Sequence, residues 1–522
     1  MTTQKPCCLT TNFSLTGAVM EQSKAGTLIG AFAAFFPDAT EIGSYVGGRL
    51  VAGTGQDIEL FDPATGEKSL SYRDAGPAIA QQACIAAREA QKHWWSLTHA
   101  ARGRILYAVA AKVREHNEPL AVLESMSQGK PIRDSRREVE MVAEMFEFYA
   151  GWADKFYGHV IPVPTTHLNY TRREPFGTIL HIAPWNIPIL SFGWQVAPTV
   201  AVGNAVLLKP SELTPFTSLA VASLAEQAGV PVGLINVLAG YGHTTGQAAI
   251  ADDVVKKVVF VGSPATGIRI AEAAAKRVIP CILELGGKSA NIVFDDANLD
   301  LAAIGAQAAV FSGSGQSCTA GSRLLIQRKV YQQVVDKVAE GARKLRLGHP
   351  LETSTEIGPI NNRNQYEHIK RMIARGVEEG AQLAAGTTSF EDRGYFVPPT
   401  LFAGVSNQMD IARTEVFGPV IAAIPFDTEE EAIAIANDSE FGLAGAVWTN
   451  DVARAHRVAA QVDAGTFWIN GYRAVHVGSP FGGYKNSGYG RTSGIEALYE
   501  YTQTKSVWVQ TAASAVTAIG RA

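Results

Sequence analysis

Cysteine is scarce in this sequence of 522 residues: Cys7, Cys8, Cys84, Cys281 and Cys318 are the full set. An odd number at scattered positions excludes a disulfide framework. Cys7 and Cys8 are adjacent, with no second thiol or histidine pair at ligand spacing, so no metal site is expected. Unpaired thiols fit a reducing, cytoplasmic setting. Long apolar runs are missing too. No stretch reaches the ~18 residues that a membrane span requires. The apolar segment from Ala25 to Phe36 is short, its charged flank is weak, and Pro37 to Glu41 makes a poor cleavage site for a secretory leader. It reads as part of an N-terminal extension, partly helical or disordered. Charge of one sign is also lacking. The net charge is only -4, and no stripe of Lys and Arg occurs, so a nucleic-acid partner is not expected. There are no internal repeats and no low-complexity blocks.

What is present is enough apolar material for large cores: 47% of the residues are hydrophobic and 18% charged. The length calls for two or three domains. After an extension over 1–42, Tyr45 to Val51 and Glu59 to Phe61 read as short strands, with Asp62-Pro63-Ala64-Thr65-Gly66 as a turn. From Gly76 to about Tyr157 apolar residues recur at helical spacing. Strands and helices then alternate. Thr178 to Ile182, Val206 to Leu208, Ile235 to Leu238 and Val258 to Val261 are strands, and Pro215 to Ala228 and Ala265 to Ala275 are helices. A second alternation runs from Ala290 to about Ile469. This pattern predicts two α/β domains with mostly parallel sheets.

Four short segments carry residue types suited to chemistry. In FSGSGQSCTAGSR (311–323), a helix from Leu299 to Ala309 and the turn Gly313-Ser314-Gly315 lead to Cys318, which is followed by a strand from Leu324. Small neighbours let a ligand approach the sulfur, although most cytosolic cysteines are buried and inert. In LELGGKSANIVF (283–294), Glu284 ends a strand-like apolar run. A carboxylate there has a raised pKa or a partner, and a raised pKa suits a general base; the plainer role is capping the Gly286-Gly287 turn. In ILHIAPWNIP (179–188), a strand ends at Ala183, and prolines stiffen the turn that carries Asn186. Its amide is an oxyanion donor or simply a turn residue. Finally, neither a P-loop nor a true GxGxxG is present. Gly240 to Gly246 is a near miss, while VVFVGSPATG (258–267) has strand–Gly–Ser–helix form, which aims amides at an anion. Lys209 and Glu212 follow a strand and offer groups for ribose or phosphate.

Six motifs, in order, closely resemble the aldehyde dehydrogenase superfamily from about Tyr45 to Val509: Pro184-Trp185-Asn186, Lys209-Pro210-Ser211-Glu212, Glu284-Leu285-Gly286-Gly287-Lys288, Gly315-Gln316-Ser317-Cys318, Glu415-Val416-Phe417-Gly418-Pro419 and PFGGYKNSGYGR (480–491). The resemblance implies an α/β fold: a modified Rossmann cofactor domain (43–156 and 176–287), a second α/β catalytic domain (288–486), and a β-hairpin oligomerisation arm (157–175 with 487–510). The extension 1–42 and the tail 511–522 lie outside the family pattern.

By the same resemblance, Cys318 is the nucleophile, Glu284 the general base, and Asn186 with the Cys318 amide the oxyanion hole. The cofactor, NAD rather than NADP, is assigned to Ile182, Ala183, Pro184, Trp185, Lys209, Ser211, Glu212, Gly242, Gly246, Phe260, Gly262, Ser263, Leu285, Gly286, Glu415 and Phe417. Glu212 disfavours a 2′-phosphate by like-charge repulsion. The glutamate at 284 favours hydrolysis over transfer to coenzyme A. Ser191, Trp194, Ser317, Thr319 and the loop Tyr472 to Gly478 are placed near the substrate. Within that loop Arg473 and His476 either bind a carboxylate-bearing aldehyde or face solvent or a subunit interface. The hairpin at Val160 to Arg172 pairs with a tail strand, Lys505 to Gln510, implying a homodimer or homotetramer. A cysteine acyltransferase needing no redox cofactor, or a non-catalytic relative, are the competing readings.

Overall fold

The computed structural model describes residues 27–39, 41–390 and 393–514. Two parallel-sheet units form the body. In the first sheet the strand order is Arg49–Ala52, Gly43–Val46, Ile235–Val237, Ala205–Lys209, Thr178–Ile182, Val255–Val261, Cys281–Glu284 and Gly488–Tyr489. The central five are parallel; the strands at the two sides run antiparallel. From Thr178–Ile182 the chain moves outward through Ala205–Lys209 to Ile235–Val237, then returns to add Val255–Val261 and Cys281–Glu284 on the other side. Thr178–Ile182 and Val255–Val261 therefore flank the point where strand order reverses, the place where open α/β sheets hold ligands at their carboxyl ends. Every residue of Thr178–Ile182 and Ala205–Lys209 is buried. That is why these strands read as mostly apolar rather than alternating.

The second sheet runs Gln382–Ala385, Thr400–Ala403, Val420–Phe426, Arg323–Gln327, Ala290–Val293, Ala444–Trp448 and Thr466–Ile469. All its pairings are parallel except the first. Leu285 to Ser289 carries the chain from the carboxyl end of Cys281–Glu284 to the amino end of Ala290–Val293. The carboxyl edge of one sheet is thereby tied to the amino edge of the other within five residues. A three-stranded antiparallel sheet of Val160–Ile161, His167–Pro175 and Thr502–Gln510 forms the arm. No helix among the described residues is long and apolar enough to cross a membrane.

Two expectations need adjustment, and one open alternative is narrowed. Tyr45 to Val51 is a hairpin of Gly43–Val46 and Arg49–Ala52, because Gly47 and Gly48 both adopt positive φ (57° and 80°) and reverse the chain. The segment before residue 43 holds a helix, Leu28–Ala33, capped by the Thr27 hydroxyl; Phe32 is fully buried and meets Phe216 edge-on at 5.8 Å. Lys209 is the last residue of its strand rather than the one after it. The readings placed on Cys7, Cys8 and most of the tail fall outside the described residues.

Candidate active site

Parallel register brings the ends of four strands into line. Ile182 pairs with Lys209 and with Phe260, and Val261 pairs with Glu284. The loops that follow open into one cleft of about 870 Å³, a size suited to a small molecule or cofactor. All the residues that the resemblance assigns to the cofactor line it, from Ile182 to Trp185 and Lys209 on one wall to Glu415 and Phe417 on the other; Asn186, Glu284 and Cys318 line it too.

Cys318 follows a tight turn. Gly313, Ser314 and Gly315 have φ of 61°, 58° and 72°, which ends the helix Leu299–Phe311 and turns the chain back toward the cleft. Asn186 Nδ2 donates to the Gln316 carbonyl at 2.8 Å. One amide hydrogen thus holds the loop two residues before the sulfur, and the amide keeps its second hydrogen for another acceptor. Gln316 is itself fixed, its Oε1 accepting from the Asn361 N–H at 2.8 Å. A Cβ added at Gly287 would lie 2.3 Å from the Cys318 carbonyl oxygen, so the Glu284 segment and the Cys318 loop touch backbone to backbone. Burial, followed by the Glu415 and Glu284 carboxylates, pushes the Cys318 thiol up to about 12; Arg473 acts in the opposite direction.

Glu284 is buried, and burial raises its carboxyl to about 8, against the lowering effect of Thr492 and Arg491. Its Oε1 accepts from the Thr492 hydroxyl at 3.0 Å, while Oε2 has no partner among the described residues. Thr492 in turn accepts from Trp194 Nε1 at 3.0 Å, and the Trp194 ring meets Phe481 edge-on at 5.4 Å. Thr492 was not singled out in the sequence: it sits one residue beyond the last motif, and a lone threonine in a turn has no periodic signal.

Along the other wall, Lys209 is buried with its ammonium on the carbonyls of Pro210 (2.7 Å) and Gly240 (2.9 Å), 3.8 Å from Glu212. Desolvation lowers its pKa. Ser263 caps the helix Pro264–Ala275, its hydroxyl accepting from Thr266 N–H, and Ser263 and Thr266 place the amino end of that helix at the cleft. Glu415 Oε1 accepts from the Gly287 N–H at 2.9 Å, and burial raises its carboxyl to about 7. Phe417 holds a positive φ of 53° and packs edge-on against Trp185 at 5.3 Å. Gln365 secures this turn through the carbonyls of Val416 and Phe417 and was also missed by motif reading. The cradle suits a dinucleotide: a buried cation, a carboxylate beside it, a helix amino end, and glycines where a side chain would intrude. At Gly286, for instance, a Cβ would fall 2.4 Å from Glu415 Oε2.

On the far side of Cys318, Ser317 and Thr319 share a hydroxyl contact of 3.1 Å, and Tyr472 donates its hydroxyl to the Thr319 carbonyl at 2.9 Å. Arg473 is half-buried with φ of 63°, and among the described residues it donates to the Ser312 carbonyl at 3.4 Å. His476 is exposed and uses Nδ1 to accept from the Gly478 N–H. Ser191 is buried.

Residues 50–507 match the model of the aldehyde dehydrogenase family. Human retinal dehydrogenase 2 is 41% identical over 462 residues, covering 88% of this chain and 89% of that protein. Betaine aldehyde dehydrogenase of Brucella anthropi is 41% identical over 472 residues, covering 89% and 96%. Among solved structures, PnpE in complex with nicotinamide adenine dinucleotide superposes with a TM-score of 0.90 at 40% identity, covering 92% of this chain and 100% of PnpE. Betaine aldehyde dehydrogenase of Staphylococcus aureus in complex with NAD+ gives 0.89 at 35% identity, covering 94% and 98%. With agreement in sequence and fold over nearly its full length, the chain belongs to the aldehyde dehydrogenase family.

Proposed function

We propose that this protein oxidises an aldehyde to the carboxylic acid with NAD as cofactor, through a thioester on Cys318 that water hydrolyses with Glu284 as base. The observation that carries this reading is that a thiol, a raised-pKa carboxylate with one free oxygen and a dinucleotide-shaped cradle open into a single cleft. Cys318 Sγ adds as the thiolate to the aldehyde carbon, and the carbonyl electron pair moves onto oxygen. The developing oxyanion takes the second Asn186 amide hydrogen and the Cys318 N–H, each such donor contributing about 3 kcal/mol to the transition state. When bound, the nicotinamide supplies the two-electron acceptor for the hydride that leaves the adduct carbon. Lys209 and Glu212 hold the adenosine ribose, the Ser263 helix end faces the pyrophosphate, and Glu415 holds the nicotinamide ribose. Glu212 beside the ribose favours NAD over NADP. An acyltransferase without a redox cofactor would have no use for this cradle.

The arm supports a homo-oligomer. Leu168 and Val509 lie opposite each other in register, and both are exposed, as are Val160 and Trp508. Apolar side chains on one small sheet call for a second copy of the chain to cover them. A reducing compartment, the cytoplasm, keeps a nucleophilic thiol such as Cys318 free. The substrate side is walled by Trp194, Ser317, Thr319 and the loop from Tyr472, with Arg473 the cation nearest an anionic substituent. The test is NADH absorbance with a panel of aliphatic, aromatic, amino- and carboxy-substituted aldehydes, with NAD and with NADP. Absorbance rises for some aldehyde with NAD, and Cys318→Ser abolishes it; a panel without any NADH would sink the proposal.

A further inference from the structure

The route from Trp194 through Thr492 to Glu284 has a fixed direction. Indole Nε1–H is a donor only, so at 3.0 Å it occupies a lone pair of Thr492 Oγ1. Among the described residues the acceptor for the Thr492 hydroxyl is Glu284 Oε1, so its single proton is donated there. All three side chains belong to different segments: a helix (Pro188–Ala201), the end of a strand (Cys281–Glu284), and the loop after Gly488–Tyr489. Thr492 and Glu284 are both almost wholly buried, so water does not compete freely for the contact. Glu284 Oε2 has no partner among the described residues.

We infer that Thr492 is a positioning residue for Glu284: polarised by the Trp194 indole, its hydroxyl pins Oε1 and reserves Oε2 as the oxygen that exchanges the proton. This rests on the hydrolytic reading above. In the step concerned, the oxygen of a water bonds to the thioester carbonyl carbon and one of its protons passes to Glu284 Oε2. The C–S bond breaks and its electron pair returns to Sγ. The products are the carboxylic acid, the Cys318 thiolate and protonated Glu284. The formation of the thioester does not call on this geometry, so the hydroxyl matters for the second half of the cycle.

The experiment compares Thr492→Val, which keeps the shape and loses the hydroxyl, with Thr492→Ser, which keeps the hydroxyl. The first turnover of NADH is read by stopped flow, and the steady state is read across pH. The valine variant keeps the wild-type first-turnover rate, loses about tenfold in steady-state rate (the scale of one hydrogen bond to a charged group) and so shows a burst. Its acidic limb moves to higher pH, because the Thr492 contact lowers the Glu284 pKa. Serine restores both. Should the valine variant fail to fold by circular dichroism, Trp194→Phe takes its place and moves the limb in the same direction by less. An unchanged limb and steady-state rate, or a first turnover that falls as far as the steady state, overturns the inference. Absence of NADH from the wild type with every aldehyde overturns instead the reading on which it rests.

Discussion

At the scale of single residues, the Cys318 thiol is set first by burial and then by the charges of its neighbours. Glu284 and Glu415 raise the Cys318 pKa, and Arg473 opposes them. Above about pH 8, where the raised Glu284 carboxyl is ionised, its like charge holds back the thiolate. Glu284→Gln removes that charge, so the thiolate fraction rises, and alkylation of Cys318 by iodoacetamide at alkaline pH is faster than in the wild type. Arg473→Ala removes a favourable charge and slows it. Alkylation rates that move the other way in either variant would show that these groups do not share the field of the sulfur. Motif reading singled out Cys318, Glu284 and Asn186, which line the cleft, because each stands in a distinctive short segment. It missed the second duty of Asn186, the hydrogen bond to the Gln316 carbonyl, and it missed Thr492, because both depend on segments that meet only after folding.

At the scale of elements, the strands that hold the site were legible because full burial makes them mostly apolar without alternation, as in Thr178–Ile182 and Ala205–Lys209. The hairpin at Gly47-Gly48 was not, since two glycines inside an apolar stretch are compatible with one strand until their positive φ is seen. The helix Leu28–Ala33 was left open for a related reason. Six residues are too few to show a helical period, and what secures it is Phe32 packed on Phe216 from a distant segment. The arm yields its own prediction. With Leu168 and Val509 exposed and paired, replacing both by glutamate places like charges on the face proposed to meet another copy. Light scattering coupled to size exclusion should then report a smaller species than the wild type. A wild type that already runs as a monomer, or a double variant of unchanged mass, contradicts the proposed interface.

At the scale of the whole molecule, the site exists because two sheets meet edge to edge. The first supplies carboxyl ends, and with them Lys209, Ser263 and Glu284. The second has its amino ends at the cleft, and the turn before Arg323–Gln327 delivers Cys318. Leu285 to Ser289 is the hinge of sequence between them, and its glycines let backbone pass within contact of Cys318 and Glu415. Both units therefore line the cleft: Lys209, Ser263 and Glu284 come from the first, and Cys318, Glu415 and Phe417 from the second. The central claim is that the acyl group waits on Cys318 for water activated by Glu284. The most direct measurement is peptide mass spectrometry on Glu284→Gln quenched after mixing with NAD and an aldehyde that the wild type oxidises. The account predicts one equivalent of NADH and an acyl adduct on the peptide containing Cys318. An unmodified Cys318 peptide with NADH still accumulating at the wild-type rate would contradict it.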